Sequence, residues 1–250
     1  MSARHAFITG GGSGIGLATA RALAATGAKL TLAGRSFEKV RAAAEEFEFA
    51  HAVACDVANE TSVTTAFAAA RDRYGGIDIL INNAGQAPSA PFKRTTLELW
   101  NTVLAVNLTG AFLCTQAALP DMLDAKWGRI VNVGSVCSLK GYAYVSAYVA
   151  SKHGLLGLTR ALAQETAKLG VTVNCVCPGY VDTPIIAESV DRLTSKTSLT
   201  PEAAHASLIQ FNPQGRIITP EEVAAAIAYL CTDVAAAING AAIPIAGGEI

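Results

Sequence analysis

Ala6-Phe7-Ile8-Thr9-Gly10-Gly11-Gly12-Ser13-Gly14-Ile15-Gly16 is the stretch whose reading decides the fold. Three apolar residues of strand character run into a glycine-rich loop, and an amphipathic pattern from Gly16 to Thr26 follows at once. Glycines let a backbone turn tightly and approach a ligand, and a helix N-terminus offers free N–H groups and a positive dipole end to a phosphate. The spacing is Gly-x-x-x-Gly-x-Gly at Gly10, Gly14 and Gly16. It differs from the Gly-x-Gly-x-x-Gly fingerprint, and no Gly-Lys-Ser/Thr follows to make a P-loop. A tight βα turn with spare glycines would look similar. Its place after the first strand predicts a dinucleotide phosphate site, with Gly10, Gly12, Ser13, Gly14, Ile15 and Gly16 as contacts.

The same alternation continues along the chain. Apolar runs recur at Leu30-Thr31-Leu32, Ala52-Val53-Ala54, Ile79-Leu80-Ile81, Ile130-Val131-Asn132-Val133, Val171-Thr172-Val173 and Ala242-Ile243-Pro244. They read as doubly buried parallel strands. Helical patterns lie between them at Gly16–Thr26, Phe37–Phe47, Ser62–Tyr74, Leu97–Leu123, Tyr144–Leu169 and Pro220–Cys231. Gly27, Gly75-Gly76, Gly128 and Gly170 are expected to stop helices. The expectation is an α/β fold over residues 1–250: one Rossmann-type doubly wound parallel sheet of about seven strands, with helices on both faces. The irregular stretch from Thr183 to Gly215 is expected to form a lid.

Of the 250 residues, 51% are hydrophobic and 16% charged, with a formal net charge of -1. That balance suits a large buried core and argues against nucleic-acid or anionic-membrane partners. No run reaches the ~18 apolar residues of a membrane span. The N-terminal residues lack a cleavage pattern, so a cytoplasmic protein is expected. Cys55, Cys114, Cys137, Cys175, Cys177 and Cys231 lack Cys-x-x-Cys spacing, and His5, His51, His153 and His205 lack ligand spacing. Free thiols and no metal are expected.

The end of the second strand, Ala33-Gly34-Arg35-Ser36, bears on which dinucleotide is bound. An acid there suits a ribose 2′-OH, and an arginine suits a 2′-phosphate. No acid occurs before Glu38, so Arg35, with Ser36, favours NADP(H) over NAD(H).

Farther along, Ser146-Ala147-Tyr148-Val149-Ala150-Ser151-Lys152 places Tyr148 and Lys152 four apart, on one helix face. A tyrosine hydroxyl has an unperturbed pKa of about 10, and a nearby ammonium favours its phenolate. Two charges about 4 Å apart interact by roughly 4 kcal/mol at an effective dielectric of 20, so one lysine is expected to bring a tyrosine into working range. His153 faces elsewhere, Lys140 is expected to be solvated, and Tyr142 and Tyr144 lack such a lysine.

These motifs stand in a fixed order: the Thr9–Gly16 loop, Asp56-Val57, Asn82-Asn83-Ala84-Gly85, Asn107, Ser135, Tyr148 with Lys152, and Pro178-Gly179. The order resembles the short-chain dehydrogenase/reductase family over essentially the whole chain. The resemblance implies Tyr148 as general acid or base for a carbonyl–alcohol oxygen, and Lys152 as the group lowering its pKa and holding the nicotinamide ribose. Ser135 would hydrogen-bond the substrate oxygen, and Asn107 would hold a water in a proton relay. Asp56 and Val57 would meet the adenine. Asn83, Ala84 and Gly85 would carry the adenosine ribose. Pro178 and Gly179 lead to Val181, Asp182 and Thr183, which would meet the carboxamide. Ser13 departs from the basic residue many NADP-preferring relatives carry, which leaves Arg35 as the phosphate partner and NAD open.

The implied activity is an EC 1.1.1-type ketone–alcohol oxidoreductase. Segments 150–154 and 177–184 look most like the β-ketoacyl reductase, polyketide ketoreductase and 3-hydroxyacyl dehydrogenase branch. That implies a 3-oxoacyl thioester, carried by coenzyme A or acyl carrier protein, or a related ketone. Aryl, cyclic, sugar or steroid ketones are the alternative. Gln86, Val136, Cys137, Tyr142 and Tyr180 are the expected pocket. Lys93, Arg94, Arg192 and Lys196 are candidates to steer a phosphorylated carrier, or plain surface charge. A non-catalytic dinucleotide sensor would need the glycine loop but not Ser135, Tyr148, Lys152 and Asn107. A methyltransferase is a weaker rival. Apolar residues on several faces of the long helices predict a homotetramer.

Overall fold

Seven parallel strands form one sheet in the order β3-β2-β1-β4-β5-β6-β7. The computed structural model describes residues 3–184, 186, 194 and 200–250, without the side chain of His205. The strands are β1 (His5–Thr9), β2 (Lys29–Gly34), β3 (Ala50–Ala54), β4 (Ile79–Asn82), β5 (Gly128–Val133), β6 (Val171–Pro178) and β7 (Ala242–Ile245). Every residue of β1, β4, β5 and β6 is buried, which accounts for apolar runs without an in–out alternation.

Neighbouring residues of one strand serve opposite faces. Ile8 and Leu32 join a core with Leu23 of α1 (Gly14–Ala24) and with Val223 and Ile227 of the Pro220–Leu230 helix. Phe7 and Leu80 join a second core with Phe67 of α3 (Glu60–Tyr74) and with Cys114 and Met122 farther along. Phe7 and Phe67 stack with ring centroids 4.0 Å apart. On the first side, α2 (Phe37–Ala44) adds Val40 and Ala43.

The predicted long helix over Leu97–Leu123 is present as α4 (Leu97–Leu104), a π-helical turn (Ala105–Thr109) and α5 (Gly110–Asp124). This continuous segment is apolar and long enough to span a membrane by length and composition. Its inner residues Cys114, Ala118 and Met122 instead fill the second core. At the join, a Cβ on Gly110 would stand 2.7 Å from Val57 Cγ2, so a side chain would displace α5 from the strand end below.

Two boundary expectations are corrected. The helix expected from Tyr144 begins at Ser146, as α6 (Ser146–Thr166), because Tyr144 has a left-handed backbone (φ 68°) that no helix accommodates. Gly128 opens β5 rather than capping a helix, and Lys126 (φ 51°) makes the left-handed turn before it. The Pro201–Ile209 helix lies within the expected lid, with Thr200 Oγ1 accepting from Ala203 N at 3.2 Å. Most of the stretch from Thr183 to that helix lies outside the described residues, as do Arg192 and Lys196.

The strand order reverses between β1 and β4, and in such sheets the crevice at the carboxyl ends of those strands is the binding site. We predict that Phe67→Ala, which leaves that crevice untouched, lowers stability by about 3–5 kcal/mol by opening a cavity beside Phe7. Urea unfolding reads this, and an unchanged midpoint would contradict the packing account.

Candidate active site

At the end of β1 the chain turns through Gly10 (φ 64°) and Gly14 (φ 52°), both left-handed. A Cβ on Gly16 would lie 2.3 Å from Gly10 O, so no other residue fits there. Ser13 stands at the N-cap of α1 but makes no side-chain cap bond, so the first-turn N–H groups lack that partner. Asn83 fastens the loop to β4: its Nδ2 donates to Thr9 O (3.0 Å) and Gly10 O (3.2 Å). In return Thr9 Oγ1 accepts from Asn83 N (2.9 Å) and Ala84 N (3.0 Å). Thr183 closes over the loop, and a Cβ on Gly14 would stand 3.0 Å from its Cγ2. Pro178 ends β6, and Val181 bridges Ile218, so this segment is held at the same sheet edge.

Arg35 is exposed beyond β2 and makes no ion pair among the described residues, since Glu38 pairs with Arg41 at 2.9 Å. Ser36 at the N-cap of α2 likewise makes no side-chain cap bond. Asp56 is exposed, with Oδ1 accepting from Ala58 N at 3.0 Å, and Val57 is buried beside Gly110. A turn in which side chains cannot fit, a helix start with uncapped N–H groups and a free guanidinium fit a dinucleotide with its phosphates.

Across the switch point lie the proposed catalytic residues. Lys152 is 4% exposed, and its Nζ donates to Val133 O, the last carbonyl of β5, at 2.7 Å. Burial lowers its pKa to about 8. Its Nζ lies 5.6 Å from the Tyr148 ring centroid, and a Cβ on Gly85 would be 3.7 Å from it. Ser135 ends the β5 loop as N-cap of a short 3₁₀ turn, Val136–Ser138, where its Oγ accepts from Cys137 N at 3.1 Å. Ser138 Oγ in turn accepts from Ser135 N at 3.2 Å, which fixes the serine from both sides.

The expected lowering of the Tyr148 pKa is not what the side chains around it produce. Burial raises it above the ordinary tyrosine value, as do the neighbouring Cys137 and Tyr180, and the hydrogen bond with Ser135 is the opposing influence. A buried ammonium that is itself destabilised is a weak counter-charge, so desolvation wins over the Coulomb attraction expected from spacing alone. The phenol therefore rests as a proton donor.

Asn107 is presented by the π-helical turn and buried. Its Nδ2 donates to Gln86 O (3.0 Å) and Ser151 Oγ (3.1 Å), and its Oδ1 accepts from Gln86 N (2.9 Å). The side chain thus ties the loop after β4 to α6 and does not itself reach Lys152.

On the substrate side, Cys137, Tyr142 and Tyr180 cluster as expected, whereas Val136 is buried and Gln86 Nε2 donates to Thr102 O at 3.1 Å. Lys140 is not free in solvent as expected: its Nζ lies 3.3 Å from Glu249 Oε1 and donates to Glu249 O at 3.2 Å. Phe211 and Glu249 also belong to this wall. Sequence reasoning singled out neither, because Tyr142 and Glu249 lie 107 residues apart and no spacing pattern links them.

Residues 4–194 match the short chain dehydrogenase family. The chain belongs to that family. It is similar to a protein named for ketoacyl reduction by the monensin polyketide synthase, from Streptomyces virginiae, at 42% identity over 99% of this chain and 97% of that one. It is also similar to the D-beta-hydroxybutyrate dehydrogenase of Cupriavidus necator, at 38% over 100% and 99% of the two chains. A solved structure of an actinorhodin polyketide ketoreductase variant with NADPH superimposes with TM-score 0.95 at 37% identity, covering 99% of this chain and 97% of that one. This short-chain dehydrogenase is therefore an NAD(P)-dependent ketone–alcohol oxidoreductase.

Two expectations follow for the proton-handling residues. Tyr148→Phe removes the proton donor and should lower kcat by about 10²–10⁴-fold while dinucleotide binding, read by fluorescence titration, persists. The Lys152 pKa falls from 10.5 unfolded to about 8 folded, so the unfolded chain binds more protons in that window and stability rises with pH through it. The stability gained by Lys152→Met should accordingly be present at pH 7 and shrink toward pH 10. Parallel urea midpoints for both proteins would expose the burial account as wrong.

Proposed function

We propose that Tyr148, Lys152, Ser135 and Asn107 form the catalytic set of a reductase acting on a 3-oxoacyl thioester or related neutral ketone, with NADP(H) preferred. When bound, the nicotinamide supplies or accepts the hydride. Ser135 orients the carbonyl oxygen by a hydrogen bond. Tyr148, a phenol that is protonated at neutral pH, gives that oxygen its proton. Lys152, anchored on Val133 O, carries the charge beside it, and Asn107 sets the spacing between the β4 loop and α6.

The observation carrying the substrate reading is the charge state of the cleft wall. Lys152 is committed to Val133 O and Lys140 to Glu249, so among the described residues neither offers a free cation to a carboxylate. The half-exposed rings of Tyr142 and Tyr180 complete an apolar, aromatic wall. A neutral ketone fits it better than a short hydroxy acid. The names of the 3-oxoacyl-[acyl-carrier-protein] reductase of Aquifex aeolicus (37% identity over 99% of this chain) and of the ketoacyl reductase relatives support the same class. Lys93 and Arg94 are exposed on the 3₁₀ turn Phe92–Arg94, where a phosphorylated carrier could be steered. The NADP(H) preference is supported by the unpaired Arg35 and the lack of an acid beside it. A cytoplasmic homotetramer completes the reading, supported by the exposed Phe112 and Leu97 on the long helices. A monomeric mass by light scattering would refute the tetramer.

Absorbance assays should show acetoacetyl thioesters reduced with higher kcat/KM than free acetoacetate. If free acetoacetate is the better substrate, the hydroxy-acid reading replaces this one. Arg35→Ala should lower kcat/KM for NADPH about ten-fold or more, the loss of one charge-assisted contact, and leave NADH nearly unchanged.

A further inference from the structure

Glu249 has a buried carboxylate, with its side chain 3% exposed, at the wall of the substrate cleft. Its Oε1 takes the Tyr142 hydroxyl in a short hydrogen bond and faces the Lys140 ammonium at 3.3 Å. Its Oε2 has no hydrogen-bond partner among the described residues and lies over Gly179, where a Cβ would stand 3.2 Å away. A side chain at Gly179 would press on the carboxylate. The next residue, Tyr180, belongs to the same wall. Tyr142 and Tyr180 both pack against Phe211, at centroid distances of 6.2 and 5.9 Å. Lys140 also approaches the Tyr142 ring at 5.1 Å.

A buried carboxylate costs several kcal/mol unless it is paired, so a chain that needed only packing here would be better served by an apolar residue. What the charge secures is orientation. Tyr142 is a phenol at a cleft edge, and a free phenol rotates and seeks water. Bound to Oε1, its hydroxyl is withdrawn, and its ring is fixed against Phe211. Burial and the adjacent carboxylate push the Tyr142 pKa far up, so the hydroxyl stays a donor and the bond persists. The wall reaches the reacting centre, since Cys137 and Tyr180 both act on the Tyr148 hydroxyl.

We propose that Glu249 is a specificity-determining positioning residue. Through Tyr142 it fixes the aromatic wall Tyr142–Phe211–Tyr180, which seats the ketone before Tyr148. Glu249 touches no reacting atom. Its effect falls on ketone binding and on discrimination between ketones, with dinucleotide affinity untouched. The inference rests on ketone reduction at this site but not on the thioester reading.

The test compares Glu249→Leu, Tyr142→Phe and the double variant in steady-state reduction of the best and the poorest ketone in a panel that includes acetoacetyl thioesters. Each single variant should raise KM for the best ketone about ten-fold, hold kcat within about two-fold, and narrow the preference over the poorest ketone. KM for NADPH should not move. The double variant should be no worse than either single one, because both remove one contact. Additive effects, a fall in kcat with KM unchanged, or no change in either would overturn the proposal. Should the thioesters fail while another ketone is reduced, the thioester reading falls and Glu249 is tested on that ketone.

Discussion

Asn83 spans the point where the sheet reverses its winding. Its side chain holds the carbonyls of Thr9 and Gly10 while its own N–H, with that of Ala84, is held by Thr9 Oγ1. Four hydrogen bonds thus lock the ends of β1 and β4 together. The constraint propagates in both directions. The glycines exist because Asn83 Nδ2 and Gly10 O already occupy the volume that side chains at Gly10 and Gly16 would need. The loop after β4 then delivers Gly85 and Gln86 to Asn107, which binds α6 and thereby places Lys152 and Tyr148. A second polar chain deeper in the sheet, Asn82 to Asn132 to Thr159, ties β4, β5 and α6 together.

Desolvation dominates the electrostatics of that site. Spacing on a helix predicts that an ammonium favours the phenolate, but burial outweighs that influence and raises the Tyr148 pKa. Lys152 compensates with a single carbonyl, and Ser135 is the one neighbour that draws the Tyr148 pKa down. Burial therefore favours the neutral form of both groups, raising the phenol's pKa and lowering the ammonium's. The same physics holds four of the six cysteines as thiols. All are buried, and for Cys55, Cys114, Cys137 and Cys231 burial is the main influence raising the thiol pKa.

The central strands were legible because burial on both faces leaves uninterrupted apolar runs, and the half-exposed edge strands β3 and β7 also fall where apolar runs do. The glycine loop and the Tyr148–Lys152 pair were legible because each has a local residue spacing, although Asn83 and Asn107 hold them from afar. Tyr144 was misassigned to a helix because the amphipathic pattern carries no information on a left-handed φ at a non-glycine residue. Lys140 looked solvated because its partner lies 109 residues away. Thr200 followed by Pro201 is a start signal for a helix inside the expected lid, where irregular composition masks it.

That division follows from how each part of the site is built. The cofactor half is made by backbone turns and helix ends, which local sequence dictates. The substrate half is assembled from α6's leading loop, the segment after β6, Phe211 and Glu249, which come together only when the sheet closes. Local constraint makes the first half hard to alter without losing the fold. Contacts across long separations leave the second half free to vary, since replacing Glu249 or Phe211 disturbs no strand pairing. Ketone selectivity can therefore be retuned on this scaffold without moving Tyr148 or Lys152, and the residues that tune it are the ones a linear reading is least equipped to find.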